Sequence, residues 1–372
     1  MTFEYETLIE SIAATAARHA GDVDRGQFPT QTLRALGDAG LLGLISAAEV
    51  GGKGLGLTAA AAVVERLARE CGSTAMVVCM HYCATAVIEA LGPVEIRRAI
   101  AAGNHLSTLA LSEVGSRSQF WVPVSTATPD GQDIRLNARK SFATSAHHAD
   151  SYVWSSKPTS GSELSTLWLV PRTTAGLRVA EAGFDGLGLR GNDSSPITAE
   201  DARIPATARL GEDGGGFGVM MGTVLPWFNV LAAAVSNGLM EAAVQRTGAH
   251  AAGTQFQHAG TALAELPTIR AYVARMRIKT DQSKALLADT LAAIAGNRAD
   301  TMLRVLESKA AAGEAAAEVS DLAMRVCGGA AFRKEVGVER IFRDARAAQV
   351  MSPTTDILYD FIGKAACGLP LF

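Results

Sequence analysis

Cysteine is scarce in this sequence and badly placed for chemistry: Cys71, Cys79, Cys83, Cys327 and Cys367 are scattered through 372 residues with no Cys-x-x-Cys pair. That spacing excludes a zinc ribbon and a disulfide framework, predicts reduced thiols in a core, and leaves no metal site to expect. Neither sign of charge dominates. With 34 basic against 37 acidic residues, a net charge of -3 and no Lys/Arg run, the chain has no electrostatic footprint for nucleic acid or an anionic membrane surface. No uninterrupted apolar stretch is expected to reach membrane-spanning length, and the opening MTFEYETLIE carries acids where a signal peptide needs a basic start and an apolar run. A cytoplasmic protein without membrane or nucleic-acid partners is therefore expected. What is abundant is alanine and other apolar side chains, 48% hydrophobic in all. A chain of this length exceeds one typical core, so two or three helix-rich sub-domains sharing a large interior, and an oligomer, are expected.

The pattern changes twice along the chain. From Thr7 to about Gly103 it is helical, with Leu57, Ala60, Val64, Leu67 and Ala68 on one stripe, and Gly40, Gly51 and Gly52 where turns need positive φ. From about Ser107 to Ala208, short runs such as Ser151–Trp154 and Ser165–Val170 read as strands, and Pro129-Asp-Gly131 reads as a turn. Beyond the linker Gly214–Gly216 helical periodicity resumes, with Ile269, Val273 and Met276 and then Leu287, Leu291 and Ile294 on recurring faces. The expected blocks are 1–108, 109–211 and 212–372. Helices, strands, then helices, without βα alternation, argue against a Rossmann sheet. Gly186-Leu-Gly-Leu-Arg-Gly191 spells a dinucleotide fingerprint, but Asn192-Asp-Ser-Ser-Pro196 follows where a helix should open.

Several segments, taken in order, resemble the acyl-CoA dehydrogenase family. They are Leu36–Leu44 with Ala48–Gly52, Ala110-Leu-Ser-Glu-Val-Gly-Ser-Arg-Ser118, Lys140-Ser-Phe-Ala-Thr-Ser145, Gly188–Gly191, Cys327-Gly-Gly329 and Val338–Arg346. The resemblance implies a mainly α fold with a central β-domain: an N-terminal helical domain, a β-barrel-like middle domain and a C-terminal four-helix bundle, with a flavin between the last two. It also implies FAD, or FMN or a diffusible reduced flavin, as cofactor. A homotetramer or dimer is implied, in which Gly328 and Gly329 reach a neighbour's flavin and Arg325 returns a positive charge there. By position, Leu111, Ser112 and Ser118 match residues touching the flavin ring and pyrophosphate, Phe142 and Thr144 match residues packed on the ring, and Phe256 and Thr354 match further contacts. The chemistry suits those residue types, because backbone N–H groups and short hydroxyls stabilise a reduced flavin without burying a charge. Without the resemblance, Ser112 and Thr144 would read equally well as strand-end hydroxyls.

The resemblance also exposes an absence. The family removes an α-proton next to a thioester with a glutamate, yet that position falls on Ser352, and the alternative position on Trp227. Asp356, one turn beyond Ser352, and His81 are the candidate replacements; a lone apolar-helix histidine is more often a satisfied core residue, and Asp356 sits where a helix start would use it. Glu113 reads as structural. Gly253 stands where an arginine would grip the pyrophosphate. Trp227, Met220, Met221 and the His81 helix are candidates for the pocket floor, though such side chains at helical spacing are more often core. Three readings remain open here: a dehydrogenase of an acyl-CoA or carrier-protein thioester with a relocated base, a two-component flavin monooxygenase, and a non-catalytic subunit pairing with a competent paralogue.

Overall fold

The computed structural model describes residues 6–161 and 164–370; the acidic opening over Met1–Tyr5 lies outside them. Two compact units form. One comprises Met1–Ala60, Met76–Asp185 and Arg190–Phe228, the other Ala61–Ala75, Gly186–Leu189 and Asn229–Phe372.

The first unit begins with α1 (Glu6–Asp24), α2 (Thr30–Asp38) and the start of α3 (Leu57–Ala68), and includes most of α4 (Gly72–Leu91) and all of α5 (Val94–Ala101). Of the predicted stripe of α3, Ala60, Val64, Leu67 and Ala68 are buried, while Leu57 at the start of the helix is half-buried. Gly40 and Gly51 have positive φ as expected; Gly52 does not, and is required because a Cβ there would stand 2.1 Å from the Ser46 carbonyl oxygen.

Strands follow: β1 (Ser107–Ala110), β2 (Thr126–Asp130), β3 (Asp133–Ala143), β4 (Ser151–Ser156), β5 (Thr166–Pro171), β6 (Leu177–Val179), β7 (Ser195–Pro205) and β8 (Arg209–Leu210). They build two four-stranded sheets, ordered β1-β4-β5-β8 and β2-β3-β7-β6. Side chains from both sheets, among them Leu136, Tyr152, Trp154, Trp168 and Ile197, share one core. Alternation along β3 sends Ile134, Leu136 and Ala138 inward. Lys140 has the same parity and is therefore buried too.

The chain continues through α6 (Gly216–Val219), a single π-turn over Met220–Val224, α7 (Leu225–Gly253), the short pair β9 (Gln255–Phe256) and β10 (Thr261–Ala262), α8 (Pro267–Ala295), α9 (Thr301–Cys327), α10 (Val338–Ala345), α11 (Ala347–Val350) and α12 (Thr355–Ala366). Within the second unit α9 is the central element, buried along most of its length from Val305 to Cys327. The faces predicted for α8 shift. Thr280, Ser283 and Thr290 are buried beside Met276 and Leu287, because Thr280 and Thr290 donate to carbonyls of their own helix and Ser283 to Asn237.

Two expectations need correction. The helix Gly72–Leu91 and the helical run Gly216–Gly253 are long and apolar enough to cross a membrane, but 72% and 61% of their apolar windows are buried inside the protein, as in core helices. Of the five free cysteines, Cys367 is exposed and the other four are buried.

Candidate functional site

Of the residues expected to meet a flavin, Leu111, Ser112, Ser118, Phe142 and Thr144 lie in the first unit, and Phe256, Arg325, Gly328, Gly329 and Thr354 in the second. After β1 the chain passes Leu111, which is buried, and Ser112, which is half-buried and whose carbonyl accepts the Ser141 amide at 2.9 Å. One residue on, Glu113 bridges to Lys140, so the loop of Ser112 and the end of β3 lie side by side. Between Lys140 and Ala143 the β3–β7 register shifts, and in that bulge Phe142 adopts φ 54° with 70% of its surface exposed. A bulky residue in the left-handed region of a strand is strained, and such strain persists at sites where the side chain must be aimed. Thr144 follows, buried, its hydroxyl 3.0 Å from that of Ser194. Ser118 is half-buried in the turn that contains Arg117 at φ 49°. The exposed ring of Phe142 and the hydroxyl residues Ser112 and Thr144 at the same end of β3 are of the chemical types that suit an apolar tricycle with a polar rim.

This platform is held from behind by an ion pair. Glu113 and Lys140, both almost wholly buried, meet at 2.5 Å. Glu113 also accepts the Val124 and Ser125 amides at 2.7 Å, while Lys140 donates to Ser155 and stands 4.9 Å from the Trp154 ring. Burial lowers the Lys140 ammonium to about 8. Burial pushes the Glu113 carboxyl up, but Lys140 and the Ser125 donors outweigh it and leave it net lowered. Asp193, which the sequence marks only as a non-helical residue, fastens the other side: it accepts the His147 amide at 2.7 Å, His147 Nδ1 at 2.9 Å and the Ser195 hydroxyl at 2.7 Å.

His81 is not a usable base. It is fully buried, with Nε2 donating to the Leu42 carbonyl at 3.1 Å and Nδ1 accepting the Ser107 amide at 3.2 Å, so neither nitrogen is left to take a substrate proton. Burial lowers its pKa to about 4. The unfolded chain takes up this proton near pH 6.5, whereas the folded state resists until about pH 4, so the associated stability is complete above 6.5 and is lost as pH falls. We expect about 3 kcal/mol of destabilisation from this group between about pH 7 and 4, read as the difference in urea midpoints between wild type and His81→Gln at the two pH values.

Trp227 is half-buried in the first turn of α7, and Met221 is half-buried in the π-turn before it; Met220 is fully buried and belongs to the core rather than a pocket floor. In the second unit, Ser352 is half-buried in the turn before α12, Thr354 is the N-cap of that helix without a side-chain cap bond, and Asp356 is exposed in its first turn. Gly328 and Gly329 are exposed at the end of α9, near Phe332 at 86% exposure. Arg325 lies 4.9 Å from the Tyr272 ring and donates to its hydroxyl. Phe256 packs edge-on to His258. The loop Gly186–Leu189 docks on α10: a Cβ at Gly188 would lie 2.4 Å from the Arg343 main chain, and Asp344 accepts the Leu189 amide at 2.6 Å. Among the described residues no group of histidine, cysteine and acidic side chains could hold a metal ion.

Comparison with known proteins identifies this order of helical, sheet and helical parts. The chain matches the acyl-CoA dehydrogenase N-terminal domain over residues 5–103, the middle domain over 108–202 and the C-terminal domain over 214–367. It is 29% identical to the mitochondrial short-chain specific acyl-CoA dehydrogenase of Homo sapiens, across 91% of this chain and 83% of that protein. Identity to the L-prolyl-[peptidyl-carrier protein] dehydrogenase of Pseudomonas fluorescens is 27%, across 97% and 96%. The fold superposes on butyryl-CoA dehydrogenase from Megasphaera elsdenii with TM-score 0.89 at 21% identity, covering 99% and 100% of the two chains. Three domain matches in order along nearly the whole sequence place this protein in the acyl-CoA dehydrogenase family, oxidoreductases for which FAD is the expected cofactor.

Proposed function

We propose that this protein is an FAD-dependent oxidoreductase of acyl thioesters, organised in blocks 1–108, 109–211 and 212–372, in which α-proton removal is the slow step. The observation that carries the reading is that Ser112, Phe142 and Thr144 are brought together at the end of β3 within the β-domain and braced by Glu113–Lys140. When bound, FAD supplies the hydride acceptor. On this reading Phe142 packs on the ring, and Ser112, Ser118 and Thr144 offer neutral donors to its polar rim. Leu111 lines the same wall. Thr354, Phe256 and the Gly328-Gly329 turn are kept as further candidate contacts, the glycines toward a second copy; Phe332 at 86% exposure near them supports such an assembly. Arg325, which donates to the Tyr272 hydroxyl, is kept as the positive charge offered beside those glycines.

The substrate class follows from shared chemistry: the relatives are named for CoA or carrier-protein thioesters, and both present an acidified α-carbon. CoA thioesters are the first choice. Neither Ser352 nor Trp227 is a carboxylate, and a positioned base is typically worth ~10²–10⁴ in rate, so oxidation should be slow rather than absent. Purified protein should be yellow with stoichiometric FAD, elute as a dimer or tetramer, and bleach slowly under anaerobic conditions with a saturated acyl-CoA. A colourless protein active only with a co-expressed paralogue, or one giving an oxygenated product with a flavin reductase and no bleaching by any thioester, would overturn the proposal. We place the protein in the cytoplasm.

A further inference from the structure

Lys309 lies in the middle of α9 with 1% of its surface exposed, on a helix that contributes no part of the Ser112–Phe142–Thr144 platform. Its ammonium donates to the main-chain oxygens of Ala348 at 3.2 Å, Met351 at 3.0 Å and Pro353 at 2.7 Å. Burial lowers this ammonium to about 7, but three carbonyl acceptors match the three N–H donors of the charged form, one more than a neutral amine offers, and so favour the charge. Two of the acceptors belong to the residues on either side of Ser352, and the third lies at the start of the same segment.

Other contacts repeat the attachment along the same helix. Gly313, one turn on, lets Ala348 approach to 3.6 Å of where its Cβ would be. Glu314 accepts the Gln349 amide at 2.8 Å, and the Ala317 carbonyl accepts Arg346 at 3.4 Å. Segment 346–353 is thus laced to one face of α9, with Lys309 at the end nearest Ser352. A buried cation is a costly way to fill space, and an apolar side chain would pack there more cheaply. What the cation adds is direction: it fixes the path of the main chain before and after residue 352.

We propose that Lys309 is a positioning residue that sets the backbone at 352, and so decides whether a side chain there can act on the substrate. The inference rests on the reading that 352 is the family's base position. Its test compares Ser352→Glu in the wild-type and Lys309→Met backgrounds, by the rate of anaerobic flavin bleaching and by hydrogen exchange of the 349–354 amides; Lys309→Gln, which keeps two donors, replaces Lys309→Met if that variant does not fold.

We expect Lys309→Met to speed exchange at 349–354 by about tenfold or more while the α9 interior keeps its protection. We expect the rate gain from Ser352→Glu, roughly 10²-fold with Lys309 present, to fall below about tenfold without it, with flavin content unchanged. Unchanged exchange, or equal gains in the two backgrounds, overturns the role of Lys309. No gain in either background, with exchange altered, instead removes the reading of 352 as the base position and the inference that depends on it.

Discussion

Ser352→Glu is expected to raise anaerobic reduction of the bound flavin by acyl-CoA roughly 10²-fold or more, with little change in KM. A base acts on the transition state and not on the resting complex, so its restoration should appear in kcat alone. The position can accept the larger side chain, because Ser352 is half-buried in a turn rather than packed in the core. The carbonyls flanking it are held by Lys309, so a new carboxylate would start from a fixed backbone. The measurement is stopped-flow bleaching at saturating substrate for wild type and variant. A rate unchanged within a factor of about two would show that residue 352 is not where the base acts. In that case the exposed Asp356, one turn along, becomes the first residue to replace, by asparagine.

The second large effect concerns stability. Lys140→Met should cost about 3–5 kcal/mol, because it leaves the Glu113 carboxylate buried with no countercharge. The double variant Glu113→Gln/Lys140→Met should recover most of that loss, since the introduced amide oxygen can still accept from Val124 or Ser125 and the methionine can pack against Trp154. Urea unfolding of the two single variants and the double variant gives the coupling energy directly. Additive losses would show that the pair is incidental to the fold. Flavin affinity should follow stability in this series, because the segment that Glu113 ties down runs from Leu111 to Ser125 and includes Ser112 and Ser118.

What can be read in the sequence is the local information. The order of helices, strands and helices shows in the change from alanine-rich periodicity to short β-branched and aromatic runs. The inward parity of Lys140 is visible in β3, since it continues the spacing of Ile134, Leu136 and Ala138. Its partner is not, because Glu113 lies 27 residues away and meets it only through the fold. The same holds for His81, whose acceptor and donor are main-chain atoms 39 and 26 residues distant. A main-chain carbonyl has no sequence signature, which is also why Lys309 gives no signal. The polar buried face of α8 escapes a hydrophobic pattern because threonine bonds back to its own helix, so burial costs less than its polarity suggests.

The exposed ring of Phe142 has a practical consequence. On the proposed reading, a nascent chain that folds before cofactor arrives displays an aromatic patch to its neighbours, aimed outward by the strained backbone of the bulge. Yield of soluble protein in a producing cell should then track riboflavin supply, with starved cultures losing material to inclusion bodies before any difference in specific activity is seen.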